Sequence, residues 1–151
     1  MRFERAAVIG APPERVWSVL SDWERQASWM PDVSRIEVLG PNRELGASLA
    51  VRTRVFGIPV ATDLVRVTVW EPPRRLVVDH VGVVVGTGEW RLEPVDERST
   101  RFTWVEEIRM QPPIVGAVAL WLYAPWQRWM LQRSIRNLRR IAEADQASDS
   151  T

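Results

Sequence analysis

Apolar residues recur at every second position through the middle of this chain, and at every third or fourth position towards its two ends. The first pattern is that of half-buried strands and the second that of amphipathic helices. Residues 2–9 set Phe3, Val8 and Ile9 among charges and predict an opening strand. Ala11-Pro12-Pro13-Glu14 then predicts a helix start, because proline suits the first turn and a carboxylate there favours the dipole. Val16, Trp17, Val19, Leu20 and Trp23 form the apolar stripe of that helix. Ser21-Asp22 reads as the cap of a second short helix through Trp29 and Met30, ended by Pro31.

From residue 34 to 108 valine and threonine dominate, in short runs separated by turn residues. The runs predict strands at 35–39, 48–56, 61–70, 76–85, 88–94 and 101–108, an antiparallel meander. Gly40-Pro41-Asn42, Gly57-Ile58-Pro59, Glu71-Pro72-Pro73, Gly86-Thr87-Gly88 and Asp96-Glu97-Arg98 are the expected turns. Val65, Val67 and Val69 share one strand face, as do Trp90 with Leu92 and Phe102 with Trp104, while charges and threonines take the other. One face of the sheet is therefore dry and aromatic, the other wet. After Pro112-Pro113 a long helix is expected from 114 to about 143, with Leu131, Ile135, Leu138 and Ala142 as its inward stripe and a kink or restart at Pro125. Residues 1–143 read as a single domain and 144–151 as a flexible tail.

Composition narrows the chemistry. The chain has 151 residues, a formal charge of +1, no cysteine and one histidine, and all 20 basic residues are arginine. That balance gives no basis for nucleic-acid binding. Without lysine there is no Schiff-base nucleophile or Walker A lysine, and without cysteine no thiolate chemistry. One histidine cannot build a histidine-rich metal site, although an all-carboxylate site stays open; neither metal nor cofactor is expected. The N-terminus lacks an apolar leader, and the charge-free run 110–127 holds three prolines, which makes it a poor membrane span. A cytoplasmic location is the expectation.

The order strand, two short helices, six strands and one long helix carries a resemblance. The bearing residues are Ile9, Ala11-Pro12, Glu14, Val16-Trp17, Leu20 and Asp22; then Trp29-Met30-Pro31; then Trp70-Glu71-Pro72-Pro73-Arg74-Arg75-Leu76. Trp90, Leu92-Glu93-Pro94 and Thr100-Arg101-Phe102-Thr103-Trp104 complete the set. The sequence resembles the START-like (SRPBCC) helix-grip superfamily, in particular its polyketide cyclase/dehydrase branch, over residues 1–143. The resemblance implies an α+β helix-grip fold, β-α-α-β6-α, with a curved seven-stranded antiparallel sheet around the long C-terminal helix. Fold alone does not name the chemistry.

A strongly bent sheet cannot fill its concave side, so a largely apolar cavity is expected between sheet and helix. Trp29, Met30, Val51, Thr53, Val65, Val67, Val78, His80, Trp90, Leu92, Phe102, Trp104 and Trp126 are its expected lining. Two of the chain's residues are candidate acid–base groups. His80 shares the phase of Leu76 and Val78 and points inward if that phase holds; otherwise it is a strand-end histidine. Glu106 shares the phase of Phe102 and Trp104, unless a bulge turns it outward. Arg52, Arg54 and Arg66 form a polar comb from which one could reach the pocket. Gly82 to Gly88 is no phosphate loop, because a strand and not a helix follows. The arginines of 128–140 suit a helix C-terminus or an anionic lipid surface. The apolar stretch 114–125 could serve as lid, homodimer face or peripheral membrane contact.

The expected function is binding of a hydrophobic small molecule: a lipid, an acyl chain or an aromatic polyketide. The alternatives are a polyketide cyclase or dehydratase using the same pocket, and a protein-interaction module of ribosome-associated or chaperone-activator type.

Overall fold

Seven strands form one antiparallel sheet in the computed structural model, which describes residues 1–148 and side chains through 144. In chain order they are β1 (Arg2–Ile9), β2 (Val33–Val38), β3 (Ser48–Val55), β4 (Ile58–Glu71), β5 (Arg75–Val81), β6 (Val84–Asp96) and β7 (Ser99–Met110). The spatial order β1-β7-β6-β5-β4-β3-β2 places the first strand beside the last, with Phe3 opposite Glu106 and Arg5 opposite Trp104. Helix α1 (Pro13–Leu20) follows β1, and the second short helix is a 3-10 segment, Trp23–Ser28. Asp22 does not cap that segment through its side chain; its carboxylate faces Arg25 and Arg43 instead.

Register slips between Val67 and Val69, Thr53 and Arg54, and Pro94 and Asp96 bend the long strands, as bulges do. Helix α2 (Pro113–Ser148) lies against the concave side. Leu120, Ala124, Gln127, Leu131, Leu138 and Ala142 are its buried stripe, which keeps its spacing straight through Pro125. The expected restart is absent, since the helix is continuous. Pro125 and Trp121, the residue whose carbonyl the proline leaves without its N–H donor, are both exposed. Helix α2 also runs on to Ser148, past the expected end near 143; residues 149–151 of the expected tail lie outside the described residues. Near its end, Glu143 accepts from the Gly10 N–H at 2.9 Å and from Arg139 at 2.8 Å, pinning the helix to the end of β1.

One predicted turn is misplaced. The β5–β6 connection is at Gly82-Val83, and Gly86 and Gly88 lie inside β6. Close packing of β6 against β7 accounts for both glycines. A Cβ on Gly86 would come within 1.9 Å of the Glu107 carbonyl oxygen, and one on Gly88 within 2.9 Å of Glu106 Oε1.

Candidate functional site

A cavity of about 480 Å³ lies between the sheet and α2. Its walls are mostly Val, Leu, Met and Trp side chains. Of the expected lining, Met30, Val51, Thr53, Val65, Val78, His80, Trp90 and Trp104 do face it. Trp29, Val67, Leu92 and Phe102 do not, because they are buried in the packed end of the grip rather than its hollow part. There the rings of Trp29, Trp90, Phe102 and Trp104 pack at tilted or edge-on angles, with centroids 5.6 to 6.4 Å apart. Asn137 Nδ2 donates to the Trp29 carbonyl at 3.2 Å and ties this cluster to α2.

Trp126 also misses the cavity; half-buried, its ring lies against Phe56 and Trp129. The α2 residues that line it are Ala119, Tyr123, Gln127 and Met130, one stripe at spacings of three and four. Continuing the Leu131–Ile135–Leu138 stripe backwards leads to this face. The stretch 114–125 thus contributes one wall of the cavity through Ala119 and Tyr123, while Ile114, Val118, Trp121 and Leu122 face outward.

The cavity has one polar wall. Glu106 is buried on β7, directly opposite Gly88 of β6, whose missing side chain leaves room for the carboxylate. Its Oε1 accepts from Trp104 Nε1 at 2.7 Å, and its Oε2 lies 3.1 Å from His80 Nε2. Alternation therefore places both acid–base candidates inside, and they form a pair. Burial opposes protonation of His80, but the hydrogen bond and charge of Glu106, with Asp63 and Asp79, outweigh it and hold the imidazole pKa above its ordinary value.

Sequence reasoning missed three members of this wall. Asp32, just before β2, lines the cavity; burial, aided by Glu106 and Asp63 and opposed by Arg54, pushes its pKa up to about 6. Its Oδ1 is sealed from solvent and finds no hydrogen-bond partner. Asp63, on β4, is also held above the ordinary carboxylate range by burial, against the opposing pull of His80. Tyr123 is raised by burial and by the nearby Asp32, Asp63 and Glu106 charges. Arg54 is the member of the arginine comb that reaches the cavity; its Nε donates to the Pro31 carbonyl at 3.1 Å. No strand or helix period flags Asp32, which stands in the loop after Pro31. Asp63, by contrast, shares the two-residue phase of Val65 and was within reach of the same alternation.

A family model described as polyketide cyclase / dehydrase and lipid transport matches residues 1–143. The chain belongs to that family. None of the curated proteins matches it. Among solved structures this family member is similar to the ZhuI aromatase/cyclase from Streptomyces sp. R1128, with a TM-score of 0.82 and 18% identity over 95% of this chain and 93% of that one. It is also similar to a norcoclaurine synthase from Thalictrum flavum (TM-score 0.72, 12% identity, 97% and 96% covered). A START superfamily protein from Mycobacterium smegmatis gives a TM-score of 0.70 at 14% identity over 99% of both chains. At these identities the likeness is one of fold, and it bears out the helix-grip architecture expected from the order of elements.

Proposed function

We propose that this protein binds a hydrophobic small molecule, ring-containing or acyl, in the cavity, with a hydrogen-bond donor of the ligand set against the acidic wall. The observation that carries this reading is the hollow of about 480 Å³, walled mostly by apolar side chains with an acidic cluster among them. Its size and lining are those of a small-molecule site. Membership of a family described by cyclisation, dehydration and lipid transport supports it. Asp32, Asp63 and Glu106 outnumber Arg54 and His80 among the lining residues, and the Asp32 Oδ1 is an acceptor without a donor. A ligand hydroxyl or ammonium is favoured by this negative excess, where a ligand carboxylate adds repulsion.

Three naphthalene probes of one shape test this: 1-naphthalenemethanol, 1-naphthylmethylamine and 1-naphthoic acid. Trp90 and Trp104 in the wall provide a fluorescence readout. The alcohol and amine should quench saturably, and the acid should bind about ten-fold more weakly, the equivalent of about 1.4 kcal/mol. Absence of saturable quenching by all three would remove the cavity reading, and preference for the acid would remove the polarity reading alone.

The His80–Glu106 pair favours a second reading, turnover in the same cavity. Neutral His80, held by Glu106, would take a proton from the carbon beside a carbonyl. The resulting imidazolium would return it to a departing β-hydroxyl, releasing water and leaving the conjugated ketone. On this reading His80→Gln keeps probe binding and abolishes dehydration of a β-hydroxy aryl ketone.

A further inference from the structure

The rim of the cavity is apolar and open to solvent. Val60 and Val83 line the cavity and are more than half exposed, so its mouth lies between the β3–β4 hairpin, the β5–β6 turn and α2. At the hairpin tip Phe56 is 78% exposed, with exposed Ile58 beside it. On α2, Ile114 (84%) and Trp121 (68%) stand out with Val118 and Leu122 on one outward face. Ring contacts join the two sides of the mouth: the Phe56 centroid is 4.4 Å from that of Trp126, which is 4.9 Å from that of Trp129. A contiguous exposed surface of this kind on a folded domain marks an interaction site.

Phe56 adds a second sign. Its φ of 51° is left-handed, and Gly57 follows at 79°, so a bulky aromatic occupies a turn position that suits asparagine or glycine. The fold tolerates strain there to hold an apolar ring outward. The strained turn keeps most of that ring exposed while one side of it rests on Trp126.

The charge on the helical side of this surface has one sign. Between residues 108 and 142 there is no Asp or Glu, and the charged residues are six arginines. Arg109 and Arg128, which bound the charge-free run, are both exposed, as are Arg133 and Arg136 further along α2. Apolar and tryptophan side chains flanked along α2 only by arginine suit the interface of an anionic bilayer, where the rings enter the headgroup layer and the guanidinium groups meet phosphates. A second copy is a poorer occupant, since a two-fold contact uses the same patch twice and would set these arginines against themselves. No helix of the described residues is long and apolar enough to cross a membrane, so the contact is lateral.

We propose that the cavity mouth docks on an anionic lipid surface, so that a hydrophobic ligand passes between bilayer and cavity without crossing water. Co-sedimentation with phosphatidylcholine vesicles, with and without phosphatidylglycerol, tests it. The protein should pellet with the anionic vesicles, less so as salt rises, and hardly at all with neutral ones. Phe56→Asn and Trp121→Ser, neither of which lines the cavity, should each weaken vesicle partitioning about ten-fold while leaving naphthalenemethanol binding unchanged. Vesicle association and probe binding are separate readouts, so either can fail without the other. Absence of anionic-vesicle association would overturn the proposal, as would association of both variants at the level of the parent, or a concentration-dependent dimer that Trp121→Ser abolishes.

Discussion

Glu106 accepts from an indole with one oxygen and faces an imidazole with the other, so its charge cannot be removed without disturbing both. Glu106→Gln should lower the His80 pKa. The change is easy to observe because His80 is the chain's single histidine, and one imidazole signal can be followed through an NMR pH titration. The sign for stability follows. A folded-state pKa above the ordinary 6.5 means that protonated His80 contributes stability below that pH, which is lost as pH rises through the folded-state value. Denaturant melts across that range should show the loss in the parent and little of it in Glu106→Gln. Asp32 acts in the same direction. Its rise from 3.8 to about 6 makes the folded state less stable as pH climbs between those values. Asp32→Asn should therefore stabilise the protein at pH 8 by up to roughly 2 to 3 kcal/mol and have little effect at pH 3.5. A carboxylate kept at such a cost fits a group that waits for a ligand.

Glycines between strand-like runs are the ordinary sign of a turn, and Gly86 and Gly88 carry that sign without forming one. Their actual role is close approach. Gly86→Ala would press a methyl group into the β7 backbone at a φ of 142°, and a loss of about 3 kcal/mol or more, or failure to fold, is expected in thermal melts. Gly88→Ala meets only the movable end of Glu106. It should cost about 1 kcal/mol and lower the His80 pKa by displacing the carboxylate. These positions show what a sequence can convey about a site. Alternation conveys which face a residue takes, and it placed Leu76, Val78, His80, Trp104 and Glu106 correctly inward. It carries no information on depth, so Phe102 and Leu92, in phase with true lining residues, are packed core instead. Depth depends on where helix and sheet diverge, a property of the whole grip. Trp126 sits beside Tyr123 at the border of the cavity wall, its ring taken up by Phe56 and Trp129 instead of the hollow.

For the whole molecule, the architecture was legible from the order of elements, and the hollow from the dry face of a sheet too bent to close on itself. The content of the polar wall was not, because Asp32 comes from a loop and meets Asp63 and Glu106 only after three distant segments assemble. On the proposed reading two surfaces divide the work: an interior wall that sets ligand polarity and a rim that sets where ligand is met. The central claim is the hollow itself, and calorimetric titration with 1-naphthalenemethanol at two temperatures measures it most directly. One saturable site with a negative heat-capacity change is the predicted result, as burial of an apolar ring inside the grip requires. No saturable heat, or binding without a heat-capacity change, would contradict it.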